Sequence, residues 1–325
     1  MTVPCVRVPR ESGEATRQAL AALDVLDESH DITVEEGWLY VPVADPAAVP
    51  EAYDVVPFDA PVRERQTRPA DLLGFEPSYE RLGDIVILDE EDPERVAEIA
   101  DAVMASDIRV KTVVNRASPI EGELRVREWD VLAGEDTETV HREYGCSFAL
   151  DLARVYFSPR LATERHRVTE QVESGERFFD MFAGVGPFAI PAAKRGAEVV
   201  GVDLNPAAVE YLRVNAERNG VADRVTAIEG DVRETADDYE GWADRLVMNL
   251  PHSAGEFLDT AVALAGEDCT LHYYDIQHDS DPFGPGEDAI RDAAEGYDVT
   301  VLNRRVVRSY APHEENVCLD VRLTR

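Results

Sequence analysis

Phe178-Phe179-Asp180-Met181-Phe182-Ala183-Gly184-Val185-Gly186-Pro187-Phe188 is the stretch whose reading decides the fold. An apolar strand runs into an acid, then into a turn with two glycines, and a helix opens near Pro187. A glycine there lets backbone N–H groups approach a ligand with no Cβ in the way. Proline in a first helical turn gives up only an N–H that would be unpaired anyway. A doubly wound α/β sheet builds its nucleotide site in this way, at the carboxyl end of its first strand. A glycine pair after a strand is also common as a plain tight turn, so the flanking sequence has to decide.

Downstream, strands and helices alternate. The apolar spacing predicts helices over 187–195, 206–219, 254–264 and 287–294, and strands over 177–182, 198–202, 225–229, 245–248 and 270–275. Two β segments, 299–309 and 316–323, close the chain. Alternation of this kind implies a parallel sheet, and a closing hairpin adds an antiparallel edge, as in S-adenosylmethionine (SAM) methyltransferases. Upstream, a helix over about 163–172 leads into the first strand.

The rest of the chain divides by composition. Residues 1–60 read as a small N-terminal domain, with strands over 2–8 and 37–43 and a helix over 14–26. The arginine-rich stretch 61–75 reads as a linker. Residues 76–150 read as an α+β middle domain, with strands over 84–88, 111–115, 124–132 and 140–150. Its helix opens at Asp92-Pro93, an acid cap followed by proline, and runs to Met104. Residues 151–325 form the third unit, the alternating one.

Charge is the abnormal feature: 66 acids against 32 bases give a formal net of −34, and Lys111 and Lys194 are the only lysines. Such a charge strains the compact state in dilute salt, but at molar salt the Debye length falls to about 3 Å. The composition therefore points to a halophile with a salt-filled cytoplasm, and acidity does not exclude a nucleic-acid partner. No apolar run approaches the roughly 18 residues of a membrane span, and the first residues lack a signal-peptide core. Cys5, Cys146, Cys269 and Cys318 lie far apart with no CxxC pair, which fits a reducing compartment and no zinc site.

Four pieces carry chemistry, beginning with the glycine turn. Asp203 ends the next strand, 19 residues after Gly184, where an acid accepts hydrogen bonds from ribose hydroxyls; an acid there is also favourable at a helix start. Asp231 follows the third strand, where adenine would lie, or serves as a turn acid. Asn249-Leu250-Pro251 ends the fourth strand, the place where methyltransferases acting on planar nitrogen hold the target's edge; an ordinary turn is the alternative. The first turn lacks a full GxGxxG, which favours SAM over a dinucleotide.

Upstream lies Tyr156-Phe157-Ser158-Pro159-Arg160-Leu161-Ala162-Thr163-Glu164-Arg165. Together with FFDMFAGVGPF, VDLNPAAVEYLRVN, GDVRE and MNLPH, it resembles the archaeal and eukaryotic tRNA guanine-37 N1-methyltransferases. GELRVREWDVLAGED, HREYGCSFALDL and VVRSYAPHEENVCLDV resemble that family too, so the likeness spans about 80–325. It implies a Rossmann-like class I SAM-dependent methyltransferase domain preceded by the α+β domain. Glu164 would be the general base for the guanine N1 proton, and Arg125 (or Arg127) would stabilise O6. Arg165, Phe182, Gly184, Asp203, Leu204, Asp231 and Val232 would bind SAM. Asn249 would touch both SAM and guanine, while Tyr156 and Pro251 would line the substrate pocket. The N-terminal domain would contact the outer corner of the tRNA.

The chemistry agrees with those roles. Guanine N1 carries a proton at neutral pH, so its methylation needs a positioned carboxylate. Charge then builds on O6, where an arginine stabilises the transition state, and the base must leave its stack. Two rivals remain: an aminocarboxypropyl transferase of wybutosine-type modification at the same nucleotide, and a non-catalytic RNA-binding protein. The Asn-Leu-Pro form favours methyl transfer. A cytoplasmic monomer is expected; magnesium is not readable, and no residue is assigned as a metal ligand. His141, His252, His313 and Cys146 are read as structural or surface residues.

Overall fold

The computed structural model describes residues 2–63, 66–118, 122, 124 and 126–325. They divide into two compact units, Met1–Thr67 and Arg68–Arg325. In the first unit, β1 (Val3–Pro9) is followed by α1 (Gly13–Ala22), β2 (Thr33–Glu35), β3 (Trp38–Pro42) and β4 (Asp54–Phe58). The strands form an antiparallel sheet in the order β2-β3-β1-β4. Val6, Val8, Leu20, Val41 and Val43 fill its core. The helix expected to reach residue 26 stops at Ala22, because Asp24 turns left-handed at φ 57°.

The second unit begins with α2 (Pro69–Leu73), where a linker was expected. Pro69 sits in its first turn and Gly74 closes it at φ 74°, a proline start and a glycine stop. Then come β5 (Glu80–Leu82), β6 (Ile85–Leu88), α3 (Pro93–Ala105), β7 (Thr112–Arg116) and β8 (Trp129–Ala133). These strands form a mixed sheet in the order β5-β6-β7-β8. The single strand expected over 140–150 is instead a hairpin, β9 (Glu138–Glu143) and β10 (Cys146–Asp151). Tyr144 and Gly145, at φ 43° and 75°, reverse the chain, the conformation a two-residue hairpin turn demands.

After α4 (Ala162–Thr169) the large sheet starts: β11 (Arg177–Asp180), α5 (Ala189–Lys194), β12 (Glu198–Asp203), α6 (Pro206–Arg218), β13 (Val225–Glu229) and α7 (Val232–Thr235). It continues through β14 (Ala243–Met248), α8 (Leu258–Leu264), β15 (Ala265–His278), α9 (Gly284–Ala293), β16 (Asp298–Ala311) and β17 (Glu314–Thr324). Among the described residues the order is β13-β12-β11-β14-β15-β17-β16, with β17 antiparallel to both neighbours. Successive strand residues face opposite sides. Phe178, Val199, Val247, Tyr274 and Cys318 therefore pack with α5 and α6. Phe179, Val200, Leu246, Met248 and Leu319 pack with α8 and α9.

Asn215 on α6 is fully buried and ties the hairpin to the glycine turn. Its amide accepts from Ala149 N–H at 2.7 Å and donates to the Ala149 and Val185 carbonyls at 3.0 and 2.9 Å. The middle sheet meets the same hairpin at Gly83, where a Cβ would lie 2.1 Å from Thr139 Oγ1. The seam expected at residue 150 is thus bridged, and residues 68–325 cohere as one unit.

Candidate active site

The two glycines of the quoted stretch do different work. Gly186 has φ 93°, and a Cβ there would lie 2.6 Å from Leu212 Cδ1 and 2.9 Å from Ile190 Cγ1. It is required by packing. Gly184 has φ 53°, and a Cβ there would meet nothing within 4 Å. Its N–H donates to Asp203 Oδ2 at 2.7 Å, and Asp203 Oδ1 accepts from Asn205 N–H at 2.9 Å. Asn205, not Asp203, caps α6, accepting from Ala207 N–H at 3.0 Å. Burial pushes the Asp203 carboxyl up, against those two N–H donors.

Asp180 is fully buried between β12 and β14. One oxygen accepts from Phe182 N–H at 3.4 Å, and the other has no partner among the described residues. Burial pushes its carboxyl up to about 7, opposed by that N–H and reinforced by Asp203. Asp231 caps α7 and pairs with Arg233, which holds its carboxyl low. The Arg233 guanidinium lies 4.7 Å from the Phe257 ring, and Phe182 meets that ring edge-on at 5.0 Å. Val232 is buried and Leu204 is 44% exposed. The ends of these strands thus offer an open glycine face, an orphaned buried carboxylate oxygen, two further acids and an aromatic pair. Those features fit a SAM site.

Glu164, only 4% exposed, lies in the first turn of α4. Its Oε1 accepts from the Tyr274 hydroxyl at 2.9 Å and from Arg167 Nη2 at 2.7 Å. Its Oε2 accepts from Arg167 Nε at 3.0 Å and pairs with Arg305 Nε at 3.0 Å. Tyr273 pairs with Met248, so Tyr274, within β15, stands level with Asn249 just past the carboxyl end of β14. The Tyr274 ring also meets that of Phe188, which ends the quoted stretch, at 5.9 Å. The sheet thus brings Glu164, Asn249 and the glycine turn to one edge. Asn249 is half-buried, and its amide makes no hydrogen bond among the described residues. The turn after it is rigid: Leu250 carbonyl accepts from Ser253 and Ala254 N–H, and Pro251 carbonyl from Ile276 N–H at 3.1 Å.

Behind Glu164 runs a buried charged ladder. Arg167 reaches Asp320 at 2.6 Å, Asp320 meets His272 Nδ1 at 2.6 Å, and His272 Nε2 meets Arg245 at 2.8 Å. Burial alone would raise the Asp320 carboxyl, but His272 and Arg167 hold it far below the usual range. His272, Cys318 and Asp320 lie close enough to share a cation, but Arg167 and Arg245 already engage them.

The other expected site residues have these surroundings. Arg165 is buried in an ion pair with Glu143 at 2.6 Å, donates to the Ser158 carbonyl at 3.0 Å and covers the Phe157 ring. Tyr156 is 40% exposed. Arg127 lies over the Trp129 ring at 5.4 Å. Arg125 falls outside the described residues. Sequence reasoning passed over Arg167, although its spacing of three from Glu164 on a helix was readable. It also passed over Tyr274, Arg305 and Asp320, which reach the site only through strand pairing.

A sequence model of the TRM5/TYW2 methyltransferase domain matches residues 139–302. Models of the tRNA methyltransferase 5 N-terminal domain and the TYW2 N-terminal domain match residues 5–51 and 65–137. The chain is 41% identical, over 98% of both chains, to tRNA (guanine(37)-N(1))-methyltransferase Trm5b of Pyrococcus abyssi. It is 34% identical to a tRNA(Phe) (4-demethylwyosine(37)-C(7)) aminocarboxypropyltransferase of Pyrococcus horikoshii, over 78% of this chain and 92% of that one. A solved complex of aTrm5 and tRNALeu superposes with a TM-score of 0.73 at 33% identity, covering 98% of this chain and 99% of that one. With a glycine turn at the end of the first strand of the large sheet and likeness over nearly the whole chain, the chain belongs to the TRM5/TYW2 methyltransferase family.

Proposed function

We propose that this chain methylates N1 of guanosine 37 in tRNA, with SAM as donor, and that Glu164 takes the N1 proton. The observation that supports the reading is Tyr274, which bonds Glu164, meets the Phe188 ring of the quoted stretch and stands level in register with Asn249. SAM, when bound, supplies an electrophilic methyl group on sulfur. Gly184 leaves room for it, Asp203 offers acceptors to ribose hydroxyls, and Asp231 with Val232 flanks the adenine side. The orphaned Asp180 oxygen awaits a donor.

Asn249, with an uncommitted amide, holds the edge of the extruded guanine. Pro251 stiffens the turn behind it, and Tyr156 lines the entry. Glu164 accepts the N1 proton as the new bond forms. An arginine of the 122–127 segment, Arg125 or Arg127, meets the charge on O6. Arg165 acts through its pair with Glu143, fixing α4 to the hairpin. The N-terminal unit contacts the outer part of the tRNA, so that shape positions the substrate and a splayed base specifies it.

The enzyme works as a cytoplasmic monomer at high salt. Its four cysteines are buried and unpaired, and no helix among the described residues is long and apolar enough to cross a membrane. The test is direct: incubate purified protein, SAM and unmodified tRNA bearing guanosine 37, then weigh the modified nucleoside. A single added methyl on N1 supports the reading. An aminocarboxypropyl group, or no product from folded protein that binds tRNA, overturns it.

A further inference from the structure

The tip of the β16–β17 hairpin carries a side-chain cluster that methyl transfer does not use. Ala311 pairs with Glu314, so Pro312-His313 is the turn between the two strands, and His313 stands there at φ 64°. Glu314 also pairs with His278, the last residue of β15, and Asp279 N–H donates to the His313 carbonyl at 3.0 Å. The backbone thereby sets three ligand-type side chains together. Asp279 Oδ1 lies 3.2 Å from His278 Nδ1, and Asp279 Oδ2 lies 3.0 Å from His313 Nδ1. The two imidazoles are parallel to within 12°, with centroids 5.7 Å apart. The Asp279, His278 and His313 side chains are 44%, 63% and 74% exposed, so ions reach them.

Two observations point to a cation. The first is an opposition of lone pairs. Ser280 Oγ lies 2.8 Å from His278 Nδ1, and Ser280 N–H donates to that nitrogen at 3.2 Å, which puts a lone pair on it rather than a proton. The same nitrogen faces a carboxylate oxygen across 3.2 Å, acceptor against acceptor. A proton on Nδ1 would only turn the conflict onto the Ser280 N–H; a positive ion beside nitrogen and oxygen satisfies both. The second is local charge. Residues 275–290 and 311–316 carry acids but neither arginine nor lysine, and among the described residues no arginine or lysine pairs with Asp279. The buried trio His272, Cys318 and Asp320 differs on this point, because arginines engage it.

We infer that His278, Asp279 and His313 bind a divalent first-row transition ion, for which Zn²⁺ is the probe, and that the ion clasps the end of β15 to the β16–β17 turn. Imidazole suits such ions, whereas Mg²⁺ and Ca²⁺ take oxygen ligands. Bonds of about 2.0–2.2 Å to Zn²⁺ put tetrahedral ligands about 3.3 Å apart, close to the 3.0 and 3.2 Å found here. All three donor atoms lie within 4.8 Å of one another, so small rotations of two exposed rings close the site. Three protein ligands leave a position for water. The clasp adjoins the turn that follows Asn249: Ile276 N–H donates to the Pro251 carbonyl, and Tyr310 bonds His252 at 3.0 Å. His313, expected as a structural or surface residue, thus becomes a ligand.

The test is calorimetric titration of the chelator-treated full chain with ZnCl₂ in molar KCl. One ion per chain should bind, and excess Mg²⁺ should not displace it. His278→Gln, Asp279→Asn and His313→Asn should each weaken binding at least about tenfold, since even outer-sphere partners act on that scale. Asparagine at 313 keeps the left-handed turn. His166→Gln is the control: His166 lies 3.4 Å from Glu170, a His–carboxylate pair without a third ligand, and its loss should leave binding at the wild-type level. Zn²⁺ should also raise the melting midpoint of wild type, because a ligand of the native state stabilises it, and should not raise that of His313→Asn. Absence of Zn²⁺ binding, equal binding by wild type and all three variants, or displacement by Mg²⁺ would overturn the assignment. None of these readouts involves methylation, so the result is independent of the function proposed above.

Discussion

The Tyr274 hydroxyl, on the sheet, donates a 2.9 Å hydrogen bond to Glu164, on the helix that precedes the sheet. It fixes one carboxylate oxygen, while Arg167 and Arg305 hold the other. Tyr274→Phe removes that bond without opening a cavity. A hydrogen bond to a charged group contributes about 1.5–3 kcal/mol, so a modest loss of stability is expected. Freed to rotate, Glu164 should transfer protons about tenfold more slowly, since a misplaced base forfeits alignment. Single-turnover methylation at saturating substrates reads this out, and an unchanged rate would show that the tyrosine does not orient the base.

The two glycines should separate stability from binding. Gly186→Ala drives a Cβ to 2.6 Å from Leu212, and overpacking of that kind costs roughly 1–3 kcal/mol beyond the strain of a left-handed alanine. Gly184→Ala carries only that strain, about 1–2 kcal/mol, because its Cβ enters open space. Thermal melts should therefore fall further for Gly186→Ala. Calorimetric SAM affinity should fall at least about tenfold for Gly184→Ala. Equal melts and unchanged SAM affinity would contradict the division.

Asp180 makes stability depend on pH in a stated direction. An unfolded aspartate titrates near 3.9, whereas burial moves the folded group up to about 7. Below both values each state keeps its proton and the group contributes nothing. Between them the unfolded chain loses its proton first, so stability falls as pH rises; above about 7 the penalty is complete. Its size is of order 4 kcal/mol at most. Denaturant midpoints of wild type and Asp180→Asn should diverge in favour of the variant between about pH 4 and pH 7, and run parallel above that. Curves parallel through that window as well would show that Asp180 is ionised throughout.

Salt should act opposite to its usual sense. Most protein–nucleic-acid contacts weaken steeply with added salt, but a chain of net charge −34 repels RNA until its own field is screened. Binding of tRNA in titrations with KCl should hold at about 1 M or above. Collapse of binding there, with circular dichroism unchanged, would contradict adaptation to a salt-filled cytoplasm.

Much of the catalytic domain was legible because its signals are local. The run from Phe178 to Phe188 alternates faces and then turns on two glycines, and helix α6 announces itself with Asn205-Pro206. The hairpin at Tyr144-Gly145 was missed because tyrosine there adopts a left-handed conformation that its side chain does not advertise. The short strands Thr33–Glu35 and Asp54–Phe58 were missed because neither is long enough to show a period. Asp203 and Asp231 could be picked out because they stand at or just past the ends of successive strands. The groups around Glu164 could not. Tyr274, Arg305 and Asp320 lie more than 100 residues away in sequence and converge only through the register of β15, β16 and β17. Arg165 was expected at SAM from the motif it belongs to; its pair with Glu143 of the adjacent hairpin was not readable from the sequence.

The most direct trial is the single-turnover rate of Glu164→Gln, measured with SAM and tRNA binding followed in parallel. With both ligands still bound, the rate should fall roughly 10²–10⁴-fold, the loss expected when a positioned base is removed. A variant that binds both ligands and methylates N1 at the wild-type rate would show that the proton leaves by another route.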